Sequence, residues 1–277
     1  MAVVSPSGPV TPENLEAGLT TLRGWGLDVT LLGVYERHDG YLAGPDAHRA
    51  AALNRALSGE FEAVFCARGG YGAMRIVDAI VPRGRPWLIG FSDITTLLLR
   101  FFKDLPCVHG PVVKSMPTQP EATAALRGLL FDGPISQEIL CVPGAGGTAA
   151  GPVLAGNLSV IVDCLDADWF PNLRDHVLVL EDVGEADYRL DRLMTALRRS
   201  RRARGLRALV LGDFNACGGV YVAEDRIPAH VLRLATEFEI PVVSGFPSGH
   251  LDRNFPVLMG AQASVNGSTG VVTLHGA

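Results

Sequence analysis

The sequence predicts an α/β fold made of two domains, and three observations carry that expectation. Short apolar runs alternate with stretches of helical period, the pattern of βαβ units. Glycines and polar residues gather just after the apolar runs, where the loops of an open parallel sheet form its ligand-binding edge. A segment rich in glycine and proline, FDGPISQEILCVPGAGGTAAGPV, interrupts the alternation near the middle of the 277 residues.

The first run, Ala2-Val3-Val4, reads as a buried strand. Thr11-Pro12-Glu13 opens a helix, with Thr11 as N-cap, Pro12 in the first turn and a carboxylate at the positive end of the dipole. Val29–Leu32 is a second strand, and the Ala- and Leu-rich stretch after Asp46 a second helix. Ala63–Ala67 is a strand that runs into Arg68-Gly69-Gly70-Tyr71-Gly72. A further helix leads to Trp87-Leu88-Ile89, which ends at Gly90-Phe91-Ser92-Asp93 before a Leu-rich helix. Residues 1–132 form the expected first domain, 133–152 a linker or short extended crossing, and 153–277 the second domain. In that second domain Val177–Leu180, Ala208–Leu211 and Pro241–Ser244 read as strands. Leu190, Leu193, Met194 and Leu197 form a helical stripe.

A net charge of −5 argues against a general nucleic-acid or anionic-membrane binder. Five cysteines without a CxxC pair or zinc spacing fit buried thiols in a reducing compartment. No signal-like opening and no apolar window of about 18 residues is present, so a soluble, cytoplasmic protein is expected. No metal is expected either. The acidic group Glu181, Asp182, Glu185, Asp187 and Asp191 has no histidine at ligand spacing. The six arginines from Arg198 to Arg207 read as a solvated helix end.

Three strand ends could carry chemistry. Ser92 stands where a strand meets a helix, a place that suits either a nucleophilic hydroxyl or a plain N-cap, and caps are the commoner case. Its surroundings lack the second glycine of G-x-S-x-G, which disfavours an ordinary α/β-hydrolase. Arg68-Gly69-Gly70 could bring backbone N–H groups to an oxyanion or a substrate, although a tight turn would use the same residues. Arg75 stands where a dinucleotide loop needs its third glycine, and no Gly-Lys-Ser/Thr follows for a P-loop. The third end pairs Glu181 with a histidine. His38, His48, His176 and His230 lie in polar or helical contexts and His275 lies in the tail. His109 could line a site or be structural, and His250 sits in a loop bracketed by glycine and proline. Spacing alone does not choose among them.

Taken together, Arg68-Gly69-Gly70-Tyr71-Gly72, Gly90-Phe91-Ser92-Asp93, His109-Gly110-Pro111, Leu180-Glu181-Asp182 and Gly249-His250 resemble the LD-carboxypeptidase family of serine peptidases. That family includes murein tetrapeptide carboxypeptidases and microcin C immunity hydrolases. The resemblance implies a flavodoxin-like three-layer N-terminal domain plus a smaller C-terminal α/β domain, with the site between them. It implies Ser92 as nucleophile, His250 as base and Glu181 as its orienting carboxylate. Backbone amides of Asp93 and of Gly69 or Gly70 would form the oxyanion hole, with Arg68, Tyr71 and His109 toward the substrate. The implied reaction releases terminal D-Ala from a murein tetrapeptide in cell-wall recycling, by a cytoplasmic homodimer without cofactor. The alternatives are hydrolysis of an aminoacyl-nucleotide amide, or a non-catalytic ligand-binding module.

Overall fold

The computed structural model describes residues 1–34, 39–217 and 227–276; His38 lies outside them. The chain divides into two compact units, Met1–Arg127 and Gly128–Ala277.

In the first unit five short strands are all parallel: β1 (Ala2–Val4), β2 (Thr30–Leu32), β3 (Ala63–Cys66), β4 (Trp87–Gly90) and β5 (Cys107–His109). Their order is β5-β4-β3-β1-β2, the flavodoxin-like arrangement. Val3, Val64, Phe65, Leu88, Ile89 and Val108 have no exposure, which explains the unbroken apolar runs: a parallel sheet is covered on both faces. Helix α1 (Pro12–Gly24) starts at Thr11, whose hydroxyl accepts from the Asn14 N–H, and buries Leu15, Gly18, Leu19 and Leu22. Right-handed crossovers put α1 on one face of the sheet. They put α2 (Asp46–Ala56), α3 (Ala73–Ile76) and α4 (Thr95–Phe101) on the other. The strand order reverses between β1 and β3. There the loops Ser5–Gly8 and Ala67–Gly70 leave the sheet side by side, joined by the Gly8 N–H donating to the Gly69 carbonyl. Helix α5 (Pro120–Phe131) carries the chain out of the unit.

The second unit holds a mixed eight-stranded sheet of order β6-β14-β13-β8-β9-β10-β11-β7. Its strands are β6 (Gln137–Leu140), β7 (Val142–Pro143), β8 (Thr148–Asn157), β9 (Val177–Val183), β10 (Ala208–Asn215), β11 (Val242–Ser244), β13 (Gln262–Asn266) and β14 (Val271–Leu274). A two-residue strand β12 (Val257–Leu258) precedes the last pair. Strand β8 joins the two halves of the sheet. Its first five residues run antiparallel to β13 and its last five parallel to β9. Helices α6 (Leu158–Cys164), α7 (Asp187–Arg199) and α8 (Ala229–Thr236) complete the unit.

Two expectations are corrected. Residues 133–152 are not a linker, because β6, β7 and the start of β8 fall inside them. Their partners β14 and β11 lie far along the chain, at Val271–Leu274 and Val242–Ser244, beyond the reach of local pattern. The glycines there serve close packing: a Cβ on Gly144 would stand 2.6 Å from the Val242 carbonyl oxygen, and one on Gly151 2.0 Å from that of Asp175. Pro143 is tolerated because β7 is an edge strand. With this segment included, the C-terminal unit is the larger of the two rather than the smaller.

Candidate active site

Ser92 is the first residue of a 3₁₀ turn and does not occupy its N-cap position. The cap positions of the 3₁₀ turn Ser92–Ile94 and of α4 are Phe91 and Ile94, and neither makes a side-chain capping bond. Ser92 itself has φ 64°, the left-handed region that residues with a Cβ seldom occupy. Such strain costs about 1–3 kcal/mol and persists where the surrounding structure over-determines it, most often at functional turns. The turn is pinned from the neighbouring strand end. A Cβ on Gly69 would lie 2.7 Å from Ser92 Cβ and 3.0 Å from its Oγ, so only glycine lets the β3 loop pass so close. Gly70 follows at φ 111°, and the Gly8 N–H donates to the Gly69 carbonyl at 3.0 Å. The three loops after β1, β3 and β4 are thus knitted together at the switch point.

Asp93, expected to act only through its backbone N–H, also uses its side chain. Its Oδ2 accepts from Ser7 Oγ at 2.5 Å and from the Ala73 N–H at 2.8 Å. Burial raises the pKa of this carboxyl, against the pull of those two donors and of the Arg49 charge.

In the second unit, Glu181 lies in the buried part of β9 with no exposure, and its Oε2 stands 2.7 Å from His250 Nδ1. A buried carboxylate is costly unless it is partnered, and here the imidazole is the partner. With Nδ1–H held by the carboxylate, Nε2 is the basic nitrogen of the ring. Burial of the imidazole works against its cation, but the Glu181 charge and hydrogen bond, with Asp182 behind them, outweigh it. The His250 pKa is therefore raised above the ordinary imidazole value.

The His250 loop rests on the end of β10. A Cβ on Gly212 would meet the Ser248 carbonyl oxygen at 2.2 Å, and one on Gly249 would meet Asp213 Cβ at 2.5 Å. The Asp213 N–H donates to the Ser248 carbonyl at 2.7 Å. Asp182, beside Glu181, accepts from Asn157 Nδ2 (3.1 Å), the Ser159 N–H (2.9 Å) and its own neighbour's Val183 N–H (2.8 Å). Burial, and then the adjacent Glu181 charge, push its pKa up to about 7. Sequence reasoning missed the supporting roles of Ser7, Asp182 and Asp213. The only available signal was that each sits at the end of an apolar run.

The remaining candidates separate. Arg68 is half-buried and donates to the Pro9 carbonyl at 3.2 Å, so it braces the β1 loop. Tyr71 is exposed and meets Tyr41 edge-on, with ring centroids 5.8 Å apart. His109, expected toward the substrate, is instead completely buried and packs edge-on against Phe91 at 5.2 Å. It ends β5 beside the residue that precedes Ser92. The acidic group does not converge: Glu185 faces Arg189 (3.6 Å), Asp187 faces His230 (3.5 Å), and Asp191 accepts from Thr195 Oγ1 (3.2 Å). Within the arginine run, Arg198 pairs with Glu237 at 3.1 Å and Arg207 with Asp175 at 2.5 Å. All five cysteines are buried and none forms a disulfide.

Residues 1–110 match the LD-carboxypeptidase N-terminal domain and residues 150–265 the LD-carboxypeptidase C-terminal domain. The chain belongs to the LD-carboxypeptidase family, and it is a hydrolase of that carboxypeptidase class. The murein tetrapeptide carboxypeptidase of Pseudomonas aeruginosa is 34% identical, over 97% of this chain and 93% of its own. Two crystal structures share the fold at lower identity. The muramoyltetrapeptide carboxypeptidase of Oxalobacter formigenes has a TM-score of 0.85 at 22% identity, covering 99% of this chain and 97% of its own. A MccF-like protein from Bacillus anthracis has a TM-score of 0.88 at 20% identity, covering 100% and 96%.

Proposed function

We propose that this protein is a serine LD-carboxypeptidase that releases the terminal D-Ala of a murein tetrapeptide during cell-wall recycling. In this reading Ser92 is the nucleophile, His250 the general base and Glu181 the residue that orients it. The observation that carries the reading is the buried Glu181 carboxylate at 2.7 Å from His250 Nδ1, an arrangement that holds an imidazole in the tautomer a base requires. The left-handed turn at Ser92 adds to it.

The reaction divides into two steps. Ser92 Oγ attacks the carbonyl of the L,D-bond while His250 Nε2 takes the hydroxyl proton. The oxyanion is held by the N–H of Asp93 and by that of Gly69 or Gly70. Collapse of the tetrahedral species breaks the C–N bond, and His250 returns the proton to the departing D-Ala amine. Water, deprotonated by His250, then hydrolyses the acyl-enzyme and regenerates Ser92. Glu181 holds the ring and stabilises the imidazolium. The homodimeric, cytoplasmic setting implied by the family resemblance belongs to the same proposal. Among the described residues no helix is long and apolar enough to cross a membrane.

The test is D-Ala release from a purified muropeptide by wild type and by Ser92→Ala. The variant is expected to lose turnover by at least about 10⁴-fold, as loss of a triad nucleophile does, while its circular dichroism is unchanged. Retained turnover would remove Ser92 from the mechanism. Cleavage of an aminoacyl-nucleotide amide in preference to the muropeptide would replace the substrate. Binding of the muropeptide by wild type without turnover would replace the enzyme by a binding module.

A further inference from the structure

The reading of Ser92 as nucleophile leaves open what holds its strained turn. Arg49 lies on α2, outside every motif of the sequence, yet its side chain is almost wholly buried, with 1% exposure. Its guanidinium donates to the carbonyls of Pro6, of Gly72 at 2.8 Å and of Gly44 at 3.0 Å, and it pairs with Asp46. The first two acceptors each precede a residue that donates to Asp93. Pro6 precedes Ser7, whose hydroxyl reaches Asp93 Oδ2, and Gly72 precedes Ala73, whose N–H reaches the same oxygen.

One peptide unit, Gly72–Ala73, is therefore gripped at its carbonyl by a cation and at its N–H by an anion. The loop after β1 is gripped in the same sense, by its Pro6 carbonyl and its Ser7 hydroxyl. Gly72 is needed for the approach, since a Cβ there would stand 2.8 Å from Arg49 Nη1. Arg49 and Asp93 are buried opposite charges linked through two loops rather than by direct contact.

We propose that Asp93 is a positioning residue as well as a backbone donor, and that Ser7 is the residue that holds it for catalysis. The chain of contacts runs from Arg49 through the two loops to the Asp93 carboxylate. Asp93 is the residue after Ser92, so the depth at which its carboxylate is seated sets both the Ser92 hydroxyl and the Asp93 N–H. With one donor removed, the buried carboxylate is left with a single neutral partner and the turn shifts toward solvent. The substrate contacts do not change, so the loss falls on turnover and not on affinity.

The experiment measures kcat, KM and thermal unfolding for D-Ala release by Ser7→Ala, Ser7→Thr, Asp93→Asn and the double variant Ser7→Ala/Asp93→Asn, beside Ser92→Ala. Ser7→Ala is expected to lower kcat about tenfold with KM unchanged, and Ser7→Thr, which keeps the hydroxyl, to recover most of that loss. The double variant is expected to be no worse than Asp93→Asn, because Ser7 acts through the carboxylate. A Ser7→Ala enzyme with wild-type kcat and only a lower Tm overturns the proposal, as does a loss confined to KM or a double variant in which the two losses add. If Ser92→Ala itself keeps turnover, the reading beneath the proposal has failed, whereas an inactive Ser92→Ala beside a normal Ser7→Ala condemns the proposal alone.

Discussion

Replacing Gly69 by alanine adds one methyl group against the hydroxyl-bearing turn. Gly69 is not in the left-handed region, so the backbone accepts alanine without strain, and the whole effect comes from the new contact. That contact is 2.7 Å to Ser92 Cβ, 3.0 Å to its Oγ and 3.1 Å to the Phe91 carbonyl oxygen. Carbon atoms ordinarily approach to about 3.5–4.0 Å, so the β3 loop and the Ser92 turn must separate by about 1 Å. A displacement of that size at a reacting atom costs about 10²-fold in rate. Overpacking of about 1–3 kcal/mol is partly offset by the smaller entropy of an unfolded chain that carries alanine. The protein should therefore stay folded while kcat for D-Ala release falls about a hundredfold. Gly24→Ala is the control: a Cβ at Gly24 has nothing within 4 Å, so activity should not change. Steady-state kinetics on a muropeptide and urea unfolding of both variants test the reasoning. A Gly69→Ala enzyme within about threefold of wild type in kcat would show that the turn does not need its observed proximity to the glycine loop.

The His250 pKa is raised, so the acid limb of kcat/KM should lie above the ordinary imidazole value of about 6.5. In Glu181→Gln burial remains and the opposing charge is gone, so that limb should move to lower pH while kcat falls; an unmoved limb would mean that another group titrates. The same shift fixes the sign of the stability effect. The dyad's contribution is fully present below about pH 6.5 and is lost as pH rises through the folded His250 value, which urea unfolding of wild type against Glu181→Gln across that range would report. In α1, a Cβ on Gly18 would stand 2.0 Å from the Val113 carbonyl oxygen. Gly18→Ala should thus lower Tm despite a helix-propensity gain of about 1 kcal/mol, and a stabilised variant would refute that packing.

Local pattern was enough for the elements that line the site. Unbroken apolar runs at residues 2–4, 63–66 and 87–90 could only be strands buried on both faces, and Thr11 marked its helix start by side-chain chemistry alone. The glycines after β3 and the serine after β4 were visible for the same reason, since loop composition follows from the conformations a loop must adopt. The family resemblance supplied Glu181 and His250, which lie 69 residues apart in sequence and 2.7 Å apart in space.

What local pattern could not contain was any pairing set by strand order. Ser7 and Asp93 are 86 residues apart, and they meet only because β1 and β4 flank β3 in the finished sheet. The same holds for Arg49, an ordinary helix residue until α2 is laid over two loops. His109 looked available from its motif, yet it points into the packed interior against Phe91. Residues 133–152 looked like a connector because glycine and proline are read locally as breaks, whereas β11 and β14 make them sheet edges. Ser92 shows both sides. Its place between strand and helix is written in the chain, but the left-handed turn that lifts it out of a cap's role exists only where Gly69, Ser7 and Ala73 close around it.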